Sequence, residues 1–477
     1  MFSLSHSPSF RRLFAGVAAC AVSMATTPAT AADGQPDPSF GIAGIAYVSP
    51  DDVDAREIMP VVAIALPDGK LLFGGTRNKL IPGAPVFEPQ IRAMLVRLNA
   101  DGSADTSFGN TSIPGLLDMG DLVAGTRMQG IESMVRLSSG AFVAVGNGMV
   151  NGPEQGFAIR FDVSGNLDLS FGTEGVMLLP KFYPHAVKVD SAGRVVIAGE
   201  RIDTQSFVYT ATVIRLTSTG TADTAFGTKG ELPVPFSDAA RSGYLRDLAI
   251  LADDGVVLGG AFEVYGSGLV SDFALARLDA TGAFDTGFAG TGWRVFHDPS
   301  ENSTIDSVDR LSVGPDRGIA FAGYHLSGEN LTGLILGRVQ ADGSSDATFG
   351  DLASPGFFKP AILPTAQNVN VSGLVVQADG KLIVSAGYFS DPDKENFFAL
   401  RATADGRLDA DFANAGVFEA DVAPDGYYSE TSATDPAARW CNRARRPCAP
   451  LDLRAGRRHG RGAVAQWQRG QRCDLCG

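Results

Sequence analysis

The chain has 477 residues, of which 44% are hydrophobic and 19% charged, and its formal net charge is −14. This apolar content excludes an intrinsically disordered chain, and the acidic balance argues against a nucleic-acid-binding protein, which needs a basic surface. Gly accounts for 57 residues, well above the usual ~7%. Since no G-X-Y period accompanies this excess, it indicates many tight turns rather than collagen.

Residues 1–31 have the order of a secretory signal peptide: the pair Arg11-Arg12, an apolar run, and a small-residue cleavage site at residues 29–31. An apolar run of ~20 residues, which a transmembrane helix would need, does not follow. We therefore predict an exported protein, periplasmic or extracellular. Two related alternatives stay open: a lipobox that would leave a lipid on Cys20, and a partial match to a twin-arginine signal.

The C-terminal segment has a different composition and charge from the rest of the chain. Residues 439–477 carry ten Arg and two Asp, a net charge of +8, together with four of the five Cys. Since residues 1–31 carry +2, the body between these two segments carries −24 and has no Cys. Disulfides therefore have no part in stabilising that body.

The body repeats one motif. D-x-x-F followed by Gly or Ala occurs seven times from Asp37 to Ala413, with the Phe residues 55–68 residues apart; from the second copy onward an Arg lies eleven residues before the Phe and a Gly six before it. Self-similarity at a fixed period is the mark of a repeat fold. The recurring Arg, Asp and Phe residues are Arg97, Asp105, Phe108, Arg160, Asp168, Phe171, Arg215, Asp223, Phe226, Arg277, Asp285, Phe288, Arg338, Asp346, Phe349, Arg401, Asp409 and Phe412.

Each period is predicted to hold four short strands, in the first unit at residues 42–48, 61–66, 71–74 and 93–98. An Asp-Gly hairpin joins the second strand to the third. The fourth strand, such as residues 273–278, is apolar on both faces, as expected where a sheet lies between two others. We therefore predict an all-β fold, a β-propeller of six complete four-stranded units plus the start of a seventh. A linear solenoid of the same units is the alternative.

Units that read D-G-K-(apolar)-G-G … F-A-L-A-R-L-x-x-D-G-x-x-D-x-x-F-G resemble the delta-60 repeat, a β-propeller repeat of exported bacterial proteins. The resemblance covers residues 37–413. It departs from the pattern at residues 138–140 and 315–318, where other residues replace the usual hairpin. The resemblance implies the fold and export, and it supplies no catalytic residues and no activity.

A residue that recurs in every unit maintains every unit, whereas catalysis needs one asymmetric constellation. We therefore expect each recurring Arg to bond the carboxylate or carbonyls of its D-G-x-x-D-x-x-F-G loop, and each Phe to fill the gap between adjacent sheets. The variable loops are predicted on the opposite face, where ligands are usually bound. Within the first of them, Asp51, Asp52, Asp54 and Glu57 form a tentative binding face.

Catalytic and cofactor motifs are absent from the body. Its three His residues, His185, His297 and His325, lie in different units without metal-ligand spacing, and there is no nucleophile elbow or P-loop. We expect no cofactor, and no motif supports a calcium ion. The chain is therefore predicted to be a non-catalytic monomer that binds a glycan, a protein or a cation through its variable loops.

Two other functions stay open. An extracytoplasmic hydrolase or lyase could act on polysaccharide with a pair of carboxylates on the variable face, as glycosidases do. A truncated product without activity is the other, because the repeat pattern stops after the last motif. The next hairpin Gly is expected at residues 434–444, where the sequence turns to Arg, Cys and Trp.

We interpret this break as a change of reading frame near residues 430–440. The bases that encode residues 439–443 can spell Met-Val-Gln-Pro when read two places along, and Val-Val-Gln-Ala stands at the equivalent place in the preceding unit. We therefore predict a signal peptide at 1–31, a propeller at 32–430 and a frame-shifted, disordered tail at 431–477. The alternatives for the tail are a zinc site that uses Cys473 and Cys476 and a basic segment that binds nucleic acid or lipid.

Overall fold

In the computed structural model, the described part of the chain consists of strands and turns, and none of it forms a helix that could cross a membrane. The predicted tail and most of the predicted signal peptide lie outside this part. The described residues are 12–13, 34–41, 44–48, 55–79, 90–111, 113–122, 126–150, 154–236, 241–263, 271–297, 305–326, 332–360, 367–391 and 394–421.

The first two strands, β1 (Arg12–Leu13) and β2 (Tyr47–Val48), pair with each other. The others form groups of four consecutive strands, named quartets 1 to 6. Quartet 1 has β3 (Ala55–Ala65), β4 (Leu71–Lys79), β5 (Gln90–Leu98) and β6 (Leu116–Asp118); quartet 2 has β7 (Thr126–Arg136), β8 (Phe142–Val150), β9 (Glu154–Phe161) and β10 (Val176–Leu179); quartet 3 has β11 (Phe182–Val189), β12 (Val195–Ile202), β13 (Tyr209–Leu216) and β14 (Glu231–Pro233). Quartet 4 has β15 (Gly243–Ile250), β16 (Val256–Glu263), β17 (Ser271–Leu278) and β18 (Trp293–Phe296); quartet 5 has β19 (Ile305–Val313), β20 (Ile319–Leu326), β21 (Thr332–Val339) and β22 (Phe357–Phe358); quartet 6 has β23 (Gln367–Val376), β24 (Leu382–Asp391), β25 (Lys394–Ala402) and β26 (Val417–Asp421).

The strand pairing corrects the expected six complete units plus the start of a seventh. Among the described residues four quartets, 1, 2, 3 and 6, are separate four-stranded blades, whereas quartets 4 and 5 are joined in one eight-stranded sheet. The join is a single parallel pair, Ser271 with Ile305, and Ser271 Oγ donates to the Asp306 carbonyl at 3.0 Å. The strand expected at residues 417–422 to begin a seventh unit is β26 of quartet 6, because it pairs with Lys394–Ala402.

The sequence repeat and the quartets are out of step by one strand. The loop that contains Phe108 joins β5 to β6, and β6 pairs antiparallel with β5. The segment predicted as the first strand of a unit is therefore the fourth strand of the preceding quartet. The sequence pattern gives the length of the repeat but not the strand at which each sheet starts. It therefore could not show where one sheet ends and the next begins. The first such segment, residues 42–48, lies outside all six quartets and contains β2.

The uniform loops share one face of the quartets. In quartet 1, Lys70 Nζ of the hairpin between the first two strands donates to Asp105 Oδ2, in the loop between the last two, at 2.8 Å. Lys381 and Asp409 make the same contact in quartet 6, also at 2.8 Å. Because neighbouring strands are antiparallel, the second-to-third loops and the connections between quartets leave from the opposite strand ends.

Each of quartets 2 to 5 is packed between two others. The first strands contact one another in succession, from β3 and β7 through to β19 and β23, so they line the centre. Along β17, Phe273 and Leu275 pack with Phe321 of quartet 5, whereas Ala274 packs with Val213 of quartet 3. Alternate residues of a strand point to opposite faces, which explains why these strands are apolar throughout. Sheets stacked radially in this way give the propeller arrangement.

The recurring Gly allows neighbouring quartets to pack closely against each other. Gly282 has φ +90°, and a Cβ on it would lie 2.4 Å from the ring of Phe226 in the preceding quartet. Gly290 has a similar φ of +77°, but a Cβ there would meet nothing within 4 Å. The two Gly residues therefore differ in the space around them rather than in their backbone.

Replacing each of these Gly residues by Ala separates the steric effect from the backbone effect. Both variants carry the cost of a positive φ, on the order of 1–2 kcal/mol. We expect Gly282→Ala to lose about 1–3 kcal/mol more than Gly290→Ala, because the buried Phe226 must move. Urea unfolding of both variants measures the difference; equal losses would contradict the close packing of Gly282 on Phe226.

Candidate functional site

The recurring Arg side chains connect neighbouring quartets. Arg97 Nε donates to Asp105 Oδ2 at 2.7 Å, and its Nη1 donates to the carbonyl of Val163, in quartet 2, at 2.6 Å. Its Cζ lies 4.4 Å from the centre of the Phe108 ring. Burial raises the pKa of Asp105, but hydrogen bonds from Lys70, Ser107 and Arg97 outweigh it and hold that pKa well below its usual range.

The Arg–Asp pair and the Arg–Phe stack are found in each of the other quartets, and the bond to a carbonyl of the following quartet is found in quartets 2 to 5. The Arg–Asp pairs are Arg160–Asp168, Arg215–Asp223, Arg277–Asp285, Arg338–Asp346 and Arg401–Asp409, and the Arg stack on Phe171, Phe226, Phe288, Phe349 and Phe412. The carbonyls of the following quartet that accept from these Arg are those of Ser218, Ala280, Ala341 and Ala404. The recurring residues thus lie far apart, one set per quartet, and do not converge on one site.

The tentative binding face cannot be placed as a set. Asp51, Asp52 and Asp54 lie outside the described residues, as does the side chain of Glu57, whose backbone belongs to β3. The fully described variable loop follows β12 in quartet 3. At its tip Phe207 is 70% exposed.

A different set of residues is brought together at the centre. Each first strand has a register shift near its middle, where one extra residue forms a β-bulge against the second strand. Bulges are enriched next to functional sites because they redirect a side chain. The extra residues of quartets 1 to 6 are Val61, Glu132, His185, Arg246, Asp309 and Ser372.

The sequence contained a signal for these bulges that sequence reasoning missed. In quartets 1 to 5 a Gly of the second strand faces the bulge, as Gly199 and Gly260 do in quartets 3 and 4. A Cβ on Gly260 would lie 1.8 Å from the Tyr244 carbonyl oxygen. Gly inside a strand often marks a bulge or a close approach of two backbones.

Three of the bulge residues form, with Glu200, what we name the central cluster: His185 and Arg246 lie beside Glu200, and the charge of Arg246 acts on Asp309. His185 Nε2 lies 2.5 Å from Glu200 Oε2, and Arg246 Nη1 lies 3.4 Å from His185 Nε2 and 3.9 Å from Glu200 Oε1. Glu200 Oε1 also accepts from the backbone N–H of Leu245 at 3.1 Å. Since a carboxylate only accepts, we assign the Nε2 proton of His185 to the bond with Glu200.

The cluster combines a buried carboxylate with more accessible His and Arg side chains. The side chain of Glu200 is 3% exposed, whereas those of His185 and Arg246 are 16% and 17% exposed. Burial lowers the pKa of Arg246, but Glu200, Tyr324 and Asp309 outweigh it, so the pKa is raised and the guanidinium stays charged. Burial raises the pKa of Asp309 to about 6, against the opposing effect of Arg310 and Arg246.

Two tyrosines lie beside the cluster. The Arg246 Cζ lies 5.2 Å from the centre of the Tyr244 ring, which is 5.8 Å from that of Tyr209. Tyr244 Oη donates to Glu263 Oε1 at 2.8 Å, and burial together with this bond raises the pKa of Tyr244. Tyr209 begins the third strand of quartet 3 directly after the variable loop. Aromatic rings therefore extend from the variable loop to the cluster.

The other two His residues of the body, His297 and His325, lie outside the central cluster. His325 Nδ1 is 3.0 Å from Asp306 Oδ1, both buried in quartet 5, and His297 is exposed after β18. Within the described ranges, no group of three or more His, Cys, Asp or Glu has an arrangement that could hold a metal ion. A shallow groove between the hairpins of quartets 5 and 6 is lined by Arg338 and Asp379 on the uniform face, where each unit repeats the same structure.

Comparison with known families agrees with this architecture. The model of a domain of unknown function, DUF5122, described as a β-propeller, matches residues 66–108, 251–288 and 377–412. The chain is a β-propeller repeat protein. Each match ends at the Phe of a motif, and the three matches cover parts of quartets 1, 4 and 6 of this propeller.

Comparison with solved structures finds matches in proteins of several classes. A protein of unknown function from Dyadobacter fermentans is 14% identical, with a TM-score of 0.42, over 71% of this chain and 96% of that one. A glycoside hydrolase is 11% identical, with a TM-score of 0.30, over 62% and 94%. An endo-arabinase from Bacteroides thetaiotaomicron is 9% identical, with a TM-score of 0.33, over 57% and 94%. No curated protein matches the sequence.

The raised pKa of Asp309 makes stability depend on pH. The native carboxyl has a pKa of about 6 and the unfolded one about 3.8, so the native state loses stability as the pH rises through this window. Asp309→Asn removes the effect. We expect the stability of this variant relative to the native protein to rise between pH 4 and 7, by up to about 3 kcal/mol.

Urea unfolding at a series of pH values measures this difference. Asp342→Asn is the control, because hydrogen bonds from Ser344 lower the pKa of Asp342 and give a dependence of opposite sign, below pH ~4. A difference between Asp309→Asn and the native protein that stays constant with pH would contradict the raised pKa.

Proposed function

We propose that this chain is an exported propeller of the delta-60 repeat type that binds a saccharide at its central cluster without converting it. The observation that carries the proposal is the asymmetry of the bulge position. Residues that maintain the blades recur in every quartet, whereas the bulge residue is Val61 in quartet 1, Ser372 in quartet 6, and His185, Arg246 and Asp309 in quartets 3 to 5. Export is supported by the predicted signal peptide.

The chemistry of the cluster favours a ligand with many hydroxyl groups. A hydroxyl both donates and accepts, and the cluster offers acceptors in Glu200 and Asp309 beside a donor in Arg246. The rings of Tyr209 and Tyr244 add apolar surface next to these polar groups. Apolar walls with a few convergent polar groups are typical of small-molecule sites.

Exchange of Arg246 tests this assignment. We expect Arg246→Gln to weaken binding at least tenfold, because its guanidinium is the reachable donor of the cluster, with Glu200 behind it. Val61→Ala is the matched control, since it alters the same bulge position in quartet 1. Binding is measured by thermal shift with a panel of neutral oligosaccharides, and separately with calcium chloride.

A ligand at 100 times its Kd stabilises the native state by ~2.7 kcal/mol, which a thermal-shift measurement detects. The proposal predicts such a shift with at least one oligosaccharide, kept in Val61→Ala and lost in Arg246→Gln. Equal shifts in the two variants, or a shift with calcium alone, would contradict it.

A second candidate is a polysaccharide hydrolase or lyase, and the raised pKa of Asp309 is the observation that favours it. A carboxyl with a pKa of about 6 can deliver a proton near neutral pH, as a general acid must. Any turnover of the oligosaccharide that binds, abolished by Asp309→Asn with binding retained, would replace the non-catalytic proposal by this one.

A further inference from the structure

In two quartets a lysine of the first hairpin bonds the recurring Asp. Lys70 Nζ donates to Asp105 Oδ2 at 2.8 Å, and Arg97 Nε donates to the same oxygen at 2.7 Å. Lys381 Nζ lies 2.8 Å from Asp409 Oδ2 in the same way. One carboxylate of this motif therefore binds a guanidinium and an ammonium together. We name the place of Lys70 and Lys381 the lysine position.

The hairpin hydrogen bonds identify the lysine position in the other quartets. The carbonyl at this position accepts from the N–H four residues earlier, as Lys70 does from Leu66 and Gly318 from Gly314, each at 2.8 Å. In quartet 5 the position is thus a Gly, within the hairpin that departs from the repeat. The residues at the lysine position of quartets 1 to 6 are Lys70, Ala141, Arg194, Gly255, Gly318 and Lys381.

Quartet 5 has an excess of negative charge around this position. The residues compared are the recurring Arg and Asp, the lysine position, and the hairpin residue two before it. In quartets 1 and 6 two carboxylates and two cations balance, whereas in quartet 5 two carboxylates have one cation. The four residues are Asp68, Lys70, Arg97 and Asp105 in quartet 1, Asp316, Gly318, Arg338 and Asp346 in quartet 5, and Asp379, Lys381, Arg401 and Asp409 in quartet 6.

Quartets 2 to 4 balance these charges by other means. In quartet 2 Ser139 replaces the hairpin Asp. In quartet 3 Arg194 Nε donates to Asp190 Oδ2 at 2.6 Å. In quartet 4 Asp253 Oδ2 accepts from Arg317 Nη2 of quartet 5 at 2.8 Å. The hairpin cation of quartet 5 is thus bonded to quartet 4, and the excess negative charge stays in quartet 5.

Asp346 of quartet 5 is shielded from water although Gly318 gives it no lysine. Its side chain is 8% exposed, whereas those of Asp168 and Asp285, whose quartets also have an uncharged lysine position, are 37% and 35% exposed. Water can therefore solvate those two carboxylates. A buried carboxylate depends on its partners instead, so Asp346 gains most from a second cation.

The space at Gly318 is a groove of about 300 Å³ between the hairpins of quartets 5 and 6. Ala320, two residues further along the strand, pairs with Arg338. Leu72 pairs with Arg97 in the same way. Because alternate residues of a strand share a face, the groove lies on the face that carries the lysine in quartet 1.

The groove is suited to an alkyl chain that ends in an ammonium. Pro315, Val376 and Leu382 line it with apolar surface, and Asp316 and Asp379 line it with carboxylates. A lysine side chain combines an apolar stem with a compact charged end that has three donors. The groove therefore offers both halves of such a group a matching surface.

We propose that this groove binds an aliphatic primary ammonium, supplied by a free alkylamine or by a lysine side chain of another chain. The ammonium takes the place that Lys70 Nζ has in quartet 1 and donates to Asp346 Oδ2, beside Arg338 Nε, while the stem packs on the apolar wall. The site lies on the uniform face, apart from the central cluster, and does not depend on the proposed saccharide.

Gly318→Lys tests the site, because the new side chain supplies the ammonium from within the chain. The φ of Gly318 lies outside the left-handed region, and a Cβ there would lie 3.1 Å from Oδ1 of the flexible Asp316 side chain, so a Lys can be accommodated. Ala141→Lys is the matched control, because it adds the same charge at the lysine position of quartet 2. Affinity is measured by thermal-shift titration with n-butylammonium chloride and, separately, with an acetylated and amidated tripeptide that has Lys between two Gly.

We expect the native protein and Ala141→Lys to bind n-butylammonium equally well, and Gly318→Lys to bind it at least tenfold more weakly, because a charge-assisted hydrogen bond is lost. For the same reason n-butanol, which has the stem without the charge, should bind the native protein at least tenfold more weakly than n-butylammonium. Binding of the amine as tight as that of the peptide supports a free alkylamine as the ligand, and tighter binding of the peptide supports a lysine of a partner.

Three results would overturn the proposal. The first is that neither the amine nor the peptide stabilises the native protein. The second is that Gly318→Lys binds them as tightly as the native protein does. The third is that n-butanol binds as tightly as n-butylammonium.

Discussion

The structure depends on one side-chain arrangement repeated in quartets 1 to 5: an Arg held between the carboxylate of its own loop and a carbonyl of the next quartet. Arg215 illustrates it, with Nε 2.7 Å from Asp223 Oδ2 and Nη1 2.7 Å from the Ala280 carbonyl. Because the side chain is 3% exposed, its charge is compensated by these partners rather than by water. The Arg also covers the Phe that fills the space next to the following Gly, so a single side chain fixes the loop, the ring and the neighbouring sheet.

These contacts of the recurring Arg make one face of the propeller uniform and leave the residues at the centre free to vary. Loops that all carry the same contacts cannot distinguish one quartet from another. The bulge residues of the first strands can differ, because in quartets 1 to 5 the second-strand Gly makes room for the backbone and places no demand on the bulge side chain. His185, Arg246 and Asp309 can therefore differ from one another while the blades that carry them stay alike, and it is this difference that suggests a ligand site.

Much of the fold could be predicted from the sequence, since the period and the fixed Arg, Gly and Phe offsets recur in every unit. The period does not show where each sheet begins, which is why the strand after Phe412 was wrongly expected to begin a seventh unit. The central cluster could not be predicted for another reason: His185, Arg246 and Asp309 are more than 60 residues apart, and only the radial stacking of three quartets brings them together.

The most direct test of the role of the recurring Arg compares the thermal and urea unfolding of Arg215→Ala with that of Arg407→Ala. Arg407 makes a surface pair with Asp405 and is 77% exposed, so its loss should cost less than about 0.5 kcal/mol. Loss of Arg215 leaves Asp223 and the Ala280 carbonyl without their partner and should cost about 3 kcal/mol or more. Equal stability of the two variants would contradict the central role of the recurring Arg.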